Sequence, residues 1–246
     1  MLMPFLLSPP TALVAGGAAF GRARLRLGSR KTQMAGAAMK SVLVANAKGG
    51  VGKTTAAATL AAAFAAGGAR VALADADRQR SALRWLKLRP AAAAPVAGLD
   101  WSRGKDVGDT PKKLDWLVID APGAIRGGKA EQLAAEADLV VTPLAPSVFD
   151  QKATAKFLDA LGEIKRVRKG KAPVHLLVNR ARRGRALAAL EAFLASMDLA
   201  PAAVVSDRAA YVDLAGQGLT VFDRPVKALE PLRAEWRPLI AALSAS

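Results

Sequence analysis

The segment Lys48-Gly49-Gly50-Val51-Gly52-Lys53-Thr54-Thr55 holds the residue types that bind phosphate. Gly49, Gly50 and Gly52 can take backbone angles closed to other residues, which lets successive N–H groups approach phosphate oxygens. Lys53 is placed to reach the β- and γ-phosphates of a nucleotide, and the Thr54 hydroxyl to ligate Mg²⁺. The ordinary phosphate loop reads G-x-x-x-x-G-K-[ST]. Ala47 stands where its first glycine belongs, so this chain carries the deviant form K-G-G-x-G-K-T. The residue that sets it apart is Lys48. Lys53 already serves the phosphates from within the loop. Lys48 could therefore face a nucleotide held by a partner subunit, much as an arginine finger acts in trans, or be a solvated surface lysine.

Three further carboxylates and an amide fit the same chemistry. Asp75 and Asp77 follow an apolar run, Arg70 to Ala74. Asp77 is a candidate to orient an attacking water and Asp75 a candidate outer-sphere Mg²⁺ ligand; either could instead cap the helix that starts near Gln79. Asp120 ends the run Asp115-Trp116-Leu117-Val118-Ile119, the Walker B shape, and is placed to hold Mg²⁺ directly or through water. Ala121-Pro122-Gly123 then reads as a tight turn near the γ-phosphate. Asn179 ends Val174 to Val178 at the edge where a base could lie, with an amide that both donates and accepts. His175, the single histidine, reads as a core or edge side chain, since no second histidine completes a metal site.

These residues need a scaffold that collects strand ends at one edge. Ser41 to Asn46 reads as a buried strand and Thr54 to about Ala66 as an alanine-rich helix, the context a phosphate loop requires. The runs ending near Asp75, Asp120, Pro143 and Asn179 read as further strands. Short apolar strands alternating with helices predict an α/β fold: a P-loop NTPase with a mostly parallel twisted sheet and helices on both faces. Pro90 to Pro95 reads as a loop or a frayed helix end. The last helix, about Lys227 to Leu243, gathers Leu229, Leu232, Trp236, Leu239, Ile240 and Leu243 on one face, as a helix packed on a sheet does.

Residues 39–246 read as one domain. Residues 1–38 contain five basic and no acidic residues and show no periodicity. Pro4, Pro9 and Pro10 break their apolar stretch, and the positive charge follows it, the wrong order for a secretory signal. The expectation is a disordered or non-native extension, with Met39 as the native start; an organellar leader or a DNA-binding arm are alternatives. The chain carries 36 Lys and Arg against 20 Asp and Glu, net +16. Without the first 38 residues, 31 basic against 20 acidic residues remain, net +11. Such an excess points to a polyanion partner. There is no cysteine, which excludes a disulfide framework and fits a reducing, cytoplasmic setting.

The chain resembles the ParA/MinD family of deviant Walker A ATPases. The likeness rests on Lys48 to Thr55, Asp75-Ala76-Asp77-Arg78-Gln79 and Ile119-Asp120-Ala121-Pro122-Gly123. It continues through Ala137 to Pro143 with Pro146-Ser147, Val205-Ser206-Asp207-Arg208 and Gly218 to Asp223. It looks closest to the short, ParF-like partition proteins. The resemblance implies ATP and Mg²⁺ as cofactors and an ATP sandwich homodimer in which each Lys48 contacts the other subunit's nucleotide. It implies slow intrinsic hydrolysis supported by Asp77, and an adenine site near Asn179, Ser206 and Asp207. It also implies non-specific DNA as the polyanion, a nucleoid-associated location and a ParB-like or other activating partner. Arg182, Arg183, Arg185, Arg208, Arg233 and Arg237 are the candidate DNA contacts. The family usually has proline where this chain has Arg78, which bears on the switch geometry and on hydrolysis. The lack of cysteine sets the chain apart from iron–sulfur relatives. Plasmid, chromosome or protein-cargo positioning is the leading expectation, with no stable membrane insertion. A MinD-like membrane-associated division regulator and a metabolic P-loop ligase are the alternatives.

Overall fold

Five apolar runs punctuate the chain, and each becomes a strand of one sheet. The computed structural model describes residues 39–103, 108–123, 128–147 and 151–246. The expected extension, 1–38, lies outside them. The strands are β1 (Lys40–Val44), β2 (Val71–Asp75), β3 (Val96–Asp100), β4 (Trp116–Asp120), β5 (Leu139–Leu144), β6 (Val174–Ala181) and β7 (Ala203–Ser206). The helices are α1 (Lys53–Ala66), α2 (Ser81–Leu88), α3 (Lys129–Glu136), α4 (Gln151–Glu163), α5 (Lys165–Arg168), α6 (Arg185–Ser196), α7 (Ala209–Ala215) and α8 (Glu230–Ala245). All pairings in the sheet are parallel, in the order β3-β2-β4-β1-β5-β6-β7. From β1 the chain winds first towards β2 and later, through β5, to the other side. The crevice at the C-terminal end of β1 is therefore a topological switch point, where open α/β sheets bind ligands.

Side chains alternate strictly across the sheet even though both faces are apolar. Val42, Val44, Leu73, Val118, Val141 and Leu177 join the core under α1, α2, α7 and α8. Leu43, Ala72, Ile119, Val140 and Val178 join the core under α3, α4, α5 and α6. α1 is alanine-rich and buried over most of its surface, so its backbone can lie close against the strands. Phe64 on α1 stacks on Trp116 of β4 with ring centroids 4.1 Å apart. α8 buries Leu232, Trp236, Leu239 and Leu243, and the Trp236 indole N–H donates to the Tyr211 hydroxyl at 3.1 Å. The expected packing of this last helix is what the structure has.

The five expected strands form. The two edge strands, β3 and β7, are not legible as strands in the sequence. β3 reads Val-Ala-Gly-Leu-Asp and is only partly buried, so it lacks the apolar run that marks a central strand. β7 is four residues long with Val204 turned outward.

Candidate functional site

β1 ends at Val44, and the chain turns over the switch point as the glycine loop before entering α1. Gly50 and Gly52 have φ of +77° and +88°, so the loop needs glycine at both positions. Gly52 is also the residue at which α1 begins. The loop is fastened from below by two asparagines. Asn46 donates from Nδ2 to the Pro143 carbonyl at 2.7 Å and accepts the Lys48 N–H on Oδ1 at 2.9 Å. Asn179 donates from Nδ2 to the Val51 carbonyl at 2.9 Å. A Cβ on Gly52 would lie 2.2 Å from that Nδ2, so the amide packs directly under the loop. Asn179 is buried there, and its hydrogen bond buttresses the loop. Sequence reasoning missed Asn46; the available signal was a polar residue closing an otherwise apolar strand just before the glycines.

Lys48 lies exposed on the outer limb, and its carbonyl accepts a hydrogen bond from Lys53 Nζ at 3.1 Å. Thr54 opens α1 with its hydroxyl donating to Asp120 Oδ2 at 2.7 Å. β2 and β4 pair in register, which sets Asp75 opposite Asp120. The structure thus brings the loop threonine and both strand-end carboxylates together. Asp120 is 1% exposed and its Oδ1 is buried without a hydrogen-bond partner. Burial pushes its carboxyl up to about 7; the Thr54 bond and Lys53 oppose this, while Asp75 and Asp77 add to it. Asp75 is fully buried, and burial raises it as well. Its oxygens accept the N–H groups of Asp77 at 3.1 Å and Leu83 at 3.0 Å, so Asp75 caps α2. Asp77 is half-buried, and its Oδ1 accepts the Gln79 N–H at 2.9 Å.

The residue in the proline position does not disturb this turn. The Arg80 N–H closes it on the Asp77 carbonyl at 3.0 Å, with Arg78 and Gln79 at its centre. Arg78 is exposed, and proline suits the same position of such a turn. Strain sits one step later, at Arg80, with φ of +51° and an ion pair to Asp100.

The segment after β7 adjoins β6 two residues beyond Asn179, with the Asp207 N–H donating to the Ala181 carbonyl at 3.0 Å. The Ser206 N–H and hydroxyl both donate to Glu235 of α8, at 2.9 and 3.1 Å. The Asp207 carboxylate accepts from Arg182 Nε at 2.7 Å. These residues line a cavity of about 610 Å³ together with Arg183, Arg208 and Leu187. Glu235 was not foreseen, because nothing in the sequence marks one glutamate of an amphipathic helix. Arg182, Arg183, Arg185 and Arg208 are exposed at this end of the sheet. Arg237 pairs with Glu230 and remains exposed. Arg233 differs from the other arginines. Its side chain is 14% exposed and is built into the fold through Glu230 and the carbonyls of Val221, Arg224 and Val226. His175 is buried, and burial lowers its pKa. Among the described residues no cluster of His, Cys, Asp and Glu has the makings of a metal site of its own, and no helix is long and apolar enough to cross a membrane.

Known proteins resemble this chain in sequence and in fold. The model of the CobQ/CobB/MinD/ParA nucleotide binding domain matches residues 42–221. The maintenance of carboxysome distribution protein A of Gloeobacter kilaueensis is 38% identical over 118 residues, 44% of this chain and 50% of that protein. The chain spans about half the length of the curated relatives it matches. Among solved structures, the MinC:MinD cell division complex of Aquifex aeolicus aligns with a TM-score of 0.66 at 18% identity, covering 85% of this chain and 96% of that one. An ATP complex of McdA from Cyanothece aligns with a TM-score of 0.63 at 17% identity, covering 82% and 96%. These two share the fold: a parallel P-loop NTPase sheet flanked by helices.

Proposed function

The chain belongs to the CobQ/CobB/MinD/ParA nucleotide-binding family, and we propose that it is a Mg²⁺-dependent positioning ATPase. The observation that carries this reading is the pairing of Thr54 with Asp120 at 2.7 Å beneath a loop that presents Lys48. The oxygen set suits Mg²⁺. A hydroxyl and a carboxylate touch, and the second carboxylate oxygen is buried with no partner of its own. Thr54 and Asp120 would hold the ion, which would neutralise charge on the β- and γ-phosphates when bound. The loop N–H groups and Lys53 bind and orient the triphosphate. Asp77 holds the attacking water, and the Asp75 cap fixes the turn that carries Asp77. Lys48 reaches across a sandwich homodimer to the partner's nucleotide.

The likeness to a carboxysome-distribution protein supports a protein assembly as the cargo, in place of a plasmid or chromosome. Non-specific DNA is the proposed track, bound through Arg182, Arg183, Arg185 and Arg208, with hydrolysis reset by an activating partner protein. Such binding places the protein on the nucleoid. Ser206 and Asp207 belong to the same end of the sheet as these arginines and are proposed to border the adenine. A membrane role for α8 fits less well, because its apolar face is buried against the sheet. The test is DNA co-sedimentation with ATP, with ADP and without nucleotide. Binding in ATP alone is expected. Binding that ignores nucleotide, or none at all, overturns the reading; lipid co-sedimentation in its place would favour the membrane alternative.

A further inference from the structure

We propose that Arg89 is a positioning residue for Asp77, acting through α2 from the far end of that helix; this rests on the ATPase reading above. α2 spans eight residues, so it is a rod of about 12 Å. Its first end is fastened to the site. Asp75 accepts the Leu83 N–H, and the turn Asp77–Arg80 leads straight into the helix. Its second end is fastened by Arg89, the residue that follows Leu88.

Arg89 is buried at 6% side-chain exposure, against 1% for its partner Asp223. The pair is bidentate, at 2.6 and 3.0 Å. Nε and Nη2 also donate to the Ala94 carbonyl at 3.0 and 2.8 Å, and Nη1 to the Gly218 carbonyl at 3.2 Å. Those bonds use all five guanidinium donors, a pattern lysine cannot reproduce. The guanidinium also lies 5.0 Å from the Trp85 ring centroid, on α2 itself. Asp223 in turn accepts the N–H and hydroxyl of Thr220. Gly218 brings its backbone against the helix end: a Cβ there would lie 2.3 Å from Arg89 N.

α2 is thus clamped between the catalytic turn and the segment Gly218–Asp223, which lies beyond α7. A buried charge pair is weak evidence for stability alone, since apolar packing often serves as well. What this pair does fix is where the helix ends. A rod held at both ends has no slack, so the position of its far end sets the reach of Asp77. The arrangement also gives the segment after α7 a mechanical connection to the hydrolytic turn.

The experiment uses the full chain and compares Arg89→Lys with wild type. Arg70→Lys, an exposed arginine paired with Asp115 just before β2, is the control. Folding is followed by far-UV circular dichroism, nucleotide affinity with mant-ATP, and turnover by phosphate release at saturating ATP and Mg²⁺. Amide hydrogen exchange is read at Gln79 and Leu83. Arg89→Lys is expected to lower kcat by about 10- to 100-fold, as small misplacements of a catalytic group do. Mant-ATP affinity stays at the wild-type level, and exchange at Gln79 and Leu83 quickens. A folded variant with wild-type kcat overturns the proposal. So does a parallel loss of affinity and kcat, or unchanged exchange at both amides. Should Arg89→Lys not fold, Asp223→Glu shifts the same junction by one methylene and is judged by the same criteria. If the wild type itself turns over no ATP, the ATPase reading fails, and exchange at Gln79 and Leu83 alone decides whether Arg89 positions the turn.

Discussion

Replacing Asp120 by asparagine removes a charge that the fold holds at a disadvantage. Asparagine keeps an oxygen to accept the Thr54 hydroxyl and is nearly the same shape. Burial raises the Asp120 carboxyl from an ordinary value of 3.8 to about 7. That gap, at about 1.36 kcal/mol per pKa unit, corresponds to about 4 kcal/mol. The sign follows from proton linkage. Between those two values the folded protein keeps the proton and the unfolded chain has lost it, so stability falls as pH rises. The contribution is fully present below the unfolded value and lost once pH passes the folded one. The amide of the Asp120→Asn variant does not titrate and has no such dependence. In nucleotide-free, Mg²⁺-free protein, the stability of Asp120→Asn relative to wild type should therefore grow by about 1.4 kcal/mol per pH unit from about pH 4 to about pH 7, then level off. The unpartnered amide adds a pH-independent cost, which makes the slope and not the offset diagnostic. Urea denaturation across that range measures it. Added Mg²⁺ should stabilise the wild type at alkaline pH and leave the variant unmoved. A stability difference that stays flat with pH refutes the reasoning.

Other substitutions test neighbouring parts of the site. Arg78→Pro should stabilise the protein by about 0.4 to 1 kcal/mol in urea denaturation, because the turn accepts proline and the unfolded chain loses freedom; a loss of stability would show that Arg78 does not sit in a proline-compatible turn. Asn179→Ala removes the bond to Val51 and should weaken mant-ATP binding by about 1 kcal/mol. Unchanged affinity would show that the loop binds nucleotide without this bond. Lys48→Ala should abolish ATP-driven dimerisation in size-exclusion chromatography while mant-ATP still binds. Normal dimerisation would remove its role across the interface. Trp236→Ala, at a fully buried position of α8, should cost about 3 to 5 kcal/mol in stability.

Residues whose chemistry is local are legible in the sequence. The glycine loop, Thr54 and Asp120 are spelled by type and spacing, and the five central strands by continuous apolar runs. The sheet then needs only its parallel order to bring Thr54 and Asp120 within hydrogen-bonding distance. Residues whose role depends on a distant partner are harder to read. Asn179 is expected at a base because it ends a strand at the binding edge. In the structure its amide also bonds Val51, 128 residues away in the chain, and no local pattern announces that contact. Ser206 is expected beside adenine, and its hydroxyl is in addition held by Glu235 of a later helix, which no local pattern announces. Arg233 reads as one more surface cation, and only the fold shows it turned inward onto three carbonyls.

The same distinction explains why the site is arranged as it is. Two carboxylates, Asp75 and Asp120, are buried side by side at the ends of paired strands, an unfavourable placement for charge. Asp75 is relieved by backbone N–H groups, so its charge serves to hold α2 and the Asp77 turn in place. Asp120 accepts a hydrogen bond from the Thr54 hydroxyl, and its second oxygen is left without a partner. The difference assigns them separate tasks. On the proposed reading, the well-bonded carboxylate is a fixture of the protein, and the under-bonded one is the group a cation would complete. An Asp75→Asn substitution should therefore disturb α2 and turnover while leaving Mg²⁺-dependent stabilisation intact. Asp120→Asn should remove that stabilisation while leaving α2 undisturbed. Hydrogen exchange at Leu83 and Mg²⁺-dependent melting, measured on both variants, separate the two roles, and identical behaviour of the pair would contradict the division.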